Sequence, residues 1–211
     1  MPANSNHFNG ASPAPTENAE PGAPSASSNF EGAFDAIASG LYNLASMLLG
    51  EGEQSIQLLE SVVARADESA CGETDGGAGT ARTWIIEGAI RTIAERNPES
   101  LAAPEGFEPA QTCIEDDDLS SAGVSRDELE QMMTGRDRDR VRNWLESLPS
   151  ATRIIFVLRA VGGYSTPETA GLLAEFGGPQ AANWTPDAVR EFFRQGLCSL
   201  ASQLIHAQNR E

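Results

Sequence analysis

The sequence is 211 residues long, 40% apolar and 21% charged, the balance of an ordinary soluble chain that can bury one good core or two small ones. Its charge is unusual: all 14 basic residues are arginine, and 31 acids bring the net charge to −17. The lack of lysine excludes a P-loop and Schiff-base chemistry, while nine arginines against eight acids from Arg136 onward (+1), and five against 23 before it (−18), confine direct contact with nucleic acid to the C-terminal part unless a partner supplies positive charge.

Residues 1–28 are rich in Pro, Ala, Ser, Asn and Gly, hold no basic residue and carry a single aromatic, Phe8, which predicts a disordered arm. The arm lacks the basic start and apolar segment of a secretory signal, and no apolar run elsewhere is long enough to span a bilayer. The expected location is therefore the cytoplasm, without membrane insertion. Cys71, Cys113 and Cys198 are odd in number, widely spaced and without a C-x-x-C pair, so lone thiols are expected rather than a disulfide framework or a zinc cluster.

From Phe34 the pattern turns helical. Ile37, Leu41, Leu44, Ala45 and Leu48 share a face, and Gly50 and Gly52 mark the stop. A second helix carries Ile56, Leu59, Val62 and Val63, and a glycine-rich loop over 71–80 follows. Trp84, Ile85, Ile86, Ala89, Ile90 and Ile93 make a third helix too apolar to be exposed all round, closed by Pro98. Residues 29–98 thus read as a small helical bundle. Residues 99–135 read as a flexible acidic linker, with Pro104, Pro109 and the run Glu115-Asp116-Asp117-Asp118, and with a short helix over 125–133. The acid run lacks the glycine turn and distal glutamate of a calcium loop, so it reads as solvated chain and not as a metal site.

Residues 136–211 make the second lobe. Arg136, Arg138, Arg140 and Arg142 alternate with Asp137 and Asp139 as a collar of self-paired charge on a helix that carries Val141, Trp144, Leu145 and Leu148. Ser150 opens a helix with Ile154, Ile155 and Leu158 that stops at Gly162-Gly163. Thr166-Pro167-Glu168 supplies a cap hydroxyl, a fixed φ and a favourable charge for the next helix, which ends at Gly177-Gly178-Pro179. Thr185-Pro186-Asp187 repeats that opening, and the last helix places Val189, Phe192, Phe193, Leu197 and Leu200 on one stripe with Arg190 and Arg194 clear of its centre. Helix, break, then a helix with arginines near its start is the form of a helix-turn-helix, although a plain bundle with two solvated arginines would look the same.

Leu148-Pro149, Arg153-Ile154-Ile155-Phe156-Val157-Leu158-Arg159, Gly163-Tyr164-Ser165, Glu168-Thr169-Ala170 and Leu172-Leu173 occur in the order seen in region 4 of extracytoplasmic-function RNA polymerase sigma factors, and the C-terminal lobe resembles that domain. Val189-Arg190 and Leu200 match positions of its recognition helix. Leu41-Tyr42-Asn43-Leu44-Ala45, Leu48-Leu49-Gly50 and Trp84-Ile85 are similar to region 2 of the same family. The resemblance implies an all-α protein of two small helical lobes joined by an acidic linker, with RNA polymerase core, promoter DNA and an anti-sigma protein as partners. It implies DNA contacts from Thr185, Arg190 and Arg194, and polymerase contacts from Gln57 and Glu60 within the segment 55–60.

The chain departs from the family in three places. About ten residues over 176–186 replace a tighter turn, Gln195-Gly196 stands for Arg-Ala, and basic residues after Trp84 are reduced to Arg91 and Arg96. These departures define an alternative: a degenerate sigma-like decoy that engages an anti-sigma or other protein without reading DNA. An enzyme is not expected. His7 and His206 have no triad partner in context, Gly77-Ala78-Gly79 has neither a leading strand nor a third glycine, and no catalytic residue, metal or cofactor is assigned.

Overall fold

The computed structural model describes residues 26–69, 77–105 and 113–208. Most of the expected arm, the loop around Cys71 and part of the expected linker lie outside them. Every regular element among the described residues is helical: α1 (Ala26–Leu49), α2 (Glu53–Ser69), α3 (Gly77–Arg96), α4 (Arg126–Thr134), α5 (Arg138–Ser147), α6 (Ser150–Phe156), α7 (Thr166–Phe176) and α8 (Pro186–Gln208), with short 3-10 turns between some of them. The expected all-α class is observed, and none of these helices is long and apolar enough to cross a membrane. Residues 1–35 form one unit, described only as helix over 26–35, and residues 36–211 form a second, compact one.

Within residues 36–211 the first three helices follow the apolar stripes in the sequence. Leu44, Ala45 and Leu48 of α1 and Val62 of α2 are buried in one cluster with Ile85, Ile86, Ala89 and Ile90 of α3, which are fully enclosed, and α2 packs on α3. Gly88 gives α2 its close approach, since the Leu58 side chain fills the space that a Cβ would occupy. A helix apolar on all sides needs a second neighbour, and α3 finds it in α7. The Arg91 guanidinium lies 4.8 Å from the centre of the Phe176 ring, and Arg82 Nη2 donates to the Val161 carbonyl at 2.9 Å.

The stretches read as two separate lobes share one buried cluster, running from Leu44 to Leu200. The segment between them does not run free where it is described. Leu101, in the 3-10 turn Pro98–Leu101, is fully buried, as are Ile114, Ala122, Val124 and Leu129 beyond it. The physical reason is that apolar residues spaced among the acids each find a site on the core, and the acids need only face outward. The long turn after α7 is also packed: Ala181 and Trp184 are buried, Trp184 Nε1 donates to the Leu101 carbonyl at 2.9 Å, and Ala103 N donates to the Gln180 carbonyl at 2.9 Å.

Local signals explain the rest. Ser125 and Glu128 close a capping box on α4, and Ser165 and Glu168 close another on α7. The α7 cap is thus Ser165, one residue before the expected Thr166, because only from Ser165 does Glu168 fall three residues on and reach back. α6 continues into a π-helical turn over Val157–Gly162, ended by Gly163 at φ +75°, a left-handed conformation that glycine adopts without strain. The arginine collar is paired in part as expected, Arg140 to Asp137 at 3.0 Å, but Arg138 and Arg142 turn to Glu51 between α1 and α2.

Candidate nucleic-acid interface

The site is built on the start of α8. Thr185 Oγ1 accepts from Ala188 N at 3.2 Å and caps the helix, as the sequence requires. Ala188, Val189, Phe193, Leu197 and Leu200 bury the inner stripe, with Phe193 5.8 Å from Phe156 and Phe192 4.9 Å from Trp184 between ring centres. α8 packs on α6, and α7 packs on α8.

The outer face of α8 is where the structure departs most from an open DNA reader. Residues 113–124 lie over it as a strap. Cys113 is disulfide-bonded to Cys198 of α8, the two Cα atoms 5.8 Å apart. This corrects the expectation of lone thiols: 85 residues separate the cysteines in sequence, and only the folding of the supposed linker onto α8 brings them together. Ile114 is buried, and its carbonyl accepts from Arg194 Nε at 2.7 Å. Asp117 Oδ2 accepts from Arg159 Nη2 at 3.1 Å and stands 3.6 Å from Arg190 Nε. Asp118 then caps the turn Leu119–Ala122 by accepting from Ser120 N at 2.7 Å, and the hydroxyl and backbone of Ser120 hold its carboxyl below the usual carboxylate range.

Each expected DNA-contacting residue can now be placed. Thr185 and Arg190 are exposed at the first turns of α8, and Arg190 also pairs with Asp187 at 2.8 Å. Arg194 is mostly covered: its side chain is 18% exposed and pairs at 3.2 Å with Glu191, whose own side chain is only 3% exposed. Arg159 is not among the residues the sequence singles out, yet it joins the same cluster, with its Cζ 4.9 Å from the Phe193 ring centre and Nη1 donating to the Tyr164 carbonyl at 3.3 Å. Sequence reasoning misses Asp117, Ile114 and Glu191 as well. The available signal is Ile114 beside Cys113, an apolar residue next to a thiol at the head of an acid run.

The strap's ion pairs do not hold it by themselves. Pairs with exposed members, such as Asp117 with Arg190, contribute about 0–1 kcal/mol each. Burial of a side chain the size of Ile114 contributes about 1.5–3 kcal/mol, so apolar anchors and the disulfide fix the strap and the charges orient it. The expected polymerase-contacting residues lie elsewhere: Gln57 and Glu60 are exposed on α2, and Gln57 Nε2 donates to Glu53 Oε1 at 2.8 Å. Beside them Ile56 and Val63 are 46% and 36% exposed, two large apolar side chains about two helical turns apart on a solvent face. Among the described residues no His, Cys, Asp and Glu cluster is arranged to hold a metal ion. Comparison with protein-family models, with curated proteins and with solved structures returns no match.

Proposed function

We propose that this chain is a sigma-type transcription initiation regulator, acting in the cytoplasm, whose DNA-reading helix is held closed by its own acidic strap. In this reading α1–α3 correspond to a region 2-like bundle that docks on RNA polymerase core through Gln57 and Glu60, and α7–α8 to a region 4-like helix-turn-helix that reads promoter DNA with Thr185, Arg190 and Arg194. The observation that carries the reading is the Asp117 carboxylate. It lies between Arg159 and Arg190 at the start of α8, an anion at the helix end and guanidinium pair where a phosphate of the DNA backbone would be received.

The test uses the full-length protein with labelled duplex DNA and fluorescence anisotropy at several salt concentrations, with and without polymerase core. Asp117→Asn combined with Cys113→Ser should bind DNA at least tenfold more tightly than the unaltered oxidised chain. Adding Arg190→Ala to that pair should cost about 1–3 kcal/mol of the gain if Arg190 meets a base edge. Absence of salt-dependent binding in the released variant would remove the DNA-reading role.

One observation favours a second reading, the decoy that binds an anti-sigma or other protein. The DNA side is covered while α2 leaves Ile56 and Val63 open beside Gln57 and Glu60. If the released variant ignores DNA yet Ile56→Asp abolishes capture of a purified anti-sigma domain, the decoy is the function.

A further inference from the structure

The net charge of −17 makes the position of every arginine informative, and four of the 14 line one cavity. It has a volume of about 290 Å³ and lies among α1, α3, α4, α5 and the π-helical turn, and Arg126 in its lining also borders the strap beside Asp117 and Arg159. Arg82, Arg126, Arg138 and Arg142 surround it. Glu130 is the one carboxylate in the lining, and Glu51 pairs at the rim with Arg138 at 3.5 Å and Arg142 at 2.5 Å. Asp139 also stands 3.8 Å from Arg142, so four cations against these three acids leave an excess of one positive charge in a strongly acidic protein. Two of the guanidinium groups are incompletely used. Arg126 is exposed and has no carboxylate or hydrogen-bond partner among the described residues, whereas Arg82 Nε is buried without one, although its Nη2 donates to Val161. A buried donor left unpaired costs about 1–3 kcal/mol, which an acceptor arriving in the cavity would recover.

The remaining wall is mostly apolar, with Met47, Met133, Val141, Leu145 and Val161, and is interrupted by Asn43, Ser46 and Thr134. An inorganic anion would satisfy the arginines and leave this surface wet. A neutral apolar molecule would do the reverse. Methionines suit a ligand of simple linear shape, because their side chains repack around it. The volume is at the small end of the roughly 300–1,000 Å³ typical of organic ligand sites.

We infer that this cavity binds a small amphiphilic carboxylate, a medium-chain acyl anion, with its headgroup on Arg126 and Arg82 and its chain against Met47, Met133 and Leu145. The site does not depend on the strap or on DNA reading. α4, which contributes Arg126 and Met133, begins directly after the strap, so a bound ligand would also brace the element on which the strap ends.

Octanoate, octanol and inorganic phosphate serve as probes in isothermal titration calorimetry with the full-length chain. Octanoate should bind at one site per chain, at least tenfold more tightly than octanol or phosphate, and should raise Tm in proportion to the logarithm of its concentration above saturation. Arg126→Gln should weaken octanoate at least tenfold. Met133→Trp, which fills the cavity and leaves every arginine in place, should abolish binding, and circular dichroism establishes that each variant is folded. Glu95→Gln, exposed at the end of α3 remote from Arg82, should change nothing. The inference is overturned by no octanoate binding, by octanol or phosphate binding equally well, or by folded Arg126→Gln and Met133→Trp variants that bind like the unaltered chain.

Discussion

Phe156 is the side chain on which the shared core can be tested. It is 1% exposed, packs edge-on to Trp144 of α5 at 4.9 Å and lies 5.8 Å from Phe193 of α8. Truncation to alanine removes a ring that cannot be replaced by collapse, because Gly196 already sits directly against it. The cost of Phe156→Ala should be about 3–5 kcal/mol. For a cooperative unit of this size each kcal/mol lowers Tm by roughly 2–4 °C, so a fall of roughly 6–20 °C is expected. The informative assay is native-state hydrogen exchange followed on α3 and α8 separately. If residues 36–211 unfold as one body, the slowest amides of α3, which lie in the stretch expected to be an independent lobe, should lose as much protection as those of α8. Unchanged exchange in α3 with weakened protection in α8 would refute the single core and restore two independent lobes.

Gly163→Ala should lower stability by about 1–2 kcal/mol in urea melts, because φ is +75° there and the added Cβ would meet Arg126 Nη1 at 3.2 Å; a neutral result would mean that the π-turn relaxes freely. The two capping boxes predict a pH dependence. Hydrogen bonds from the backbone and hydroxyl of Ser125 lower the pKa of Glu128, and those from the hydroxyl and backbone of Ser165 lower that of Glu168. A carboxyl depressed in the folded state contributes stability that is complete above the unfolded glutamate value of about 4.3 and is lost as pH falls through the folded one. The Tm gap between the unaltered chain and a Ser125→Ala, Ser165→Ala double variant should therefore narrow from neutral pH to about pH 3, and a constant gap would show that the glutamates take no part.

Periodicity makes most of the helices legible. The stripes of α1, α3, α6 and α8 are long and regular, and the stop at Gly162-Gly163 and the cap at Thr185 fall where turn chemistry puts them. Long-range closure is not legible in the same way. Nothing near Leu101 announces that its carbonyl accepts from Trp184, 83 residues away, and nothing near Cys113 announces Cys198. An acid-rich, proline-marked segment has the composition of a linker, and composition averages over the few apolar residues that decide whether such a segment docks. Ile114, Ala122 and Val124 are three residues among many, yet they fix the strap and so determine how much of α8 is exposed. Of the DNA-contacting residues expected from the sequence, Arg190 can be read from its place near the helix start. The covering of Arg194 cannot, since its partners, Ile114 and Glu191, lie on a distant segment and on its own helix's buried side.

The proposed closed state also constrains what could open it. Salt weakens the Asp117 pairs with Arg159 and Arg190, which lie partly in solvent, but those pairs contribute only about 0–1 kcal/mol each. DNA binding through Arg190 and Arg194 would release roughly 1.8 counterions and so lose affinity faster with salt than the strap loses its hold. Raising ionic strength therefore works against the DNA-bound state even as it loosens the strap. Opening must come from something that acts on the anchors instead: reduction of the Cys113–Cys198 bond, or a partner that takes up the apolar surface of Ile114 and Val124. Under reducing conditions at moderate salt, DNA affinity of the unaltered chain should approach that of Cys113→Ser, whereas salt titration of the oxidised chain should show no rise at any concentration. A rise with salt in the oxidised chain would mean that the ion pairs, and not the buried anchors, keep the strap in place.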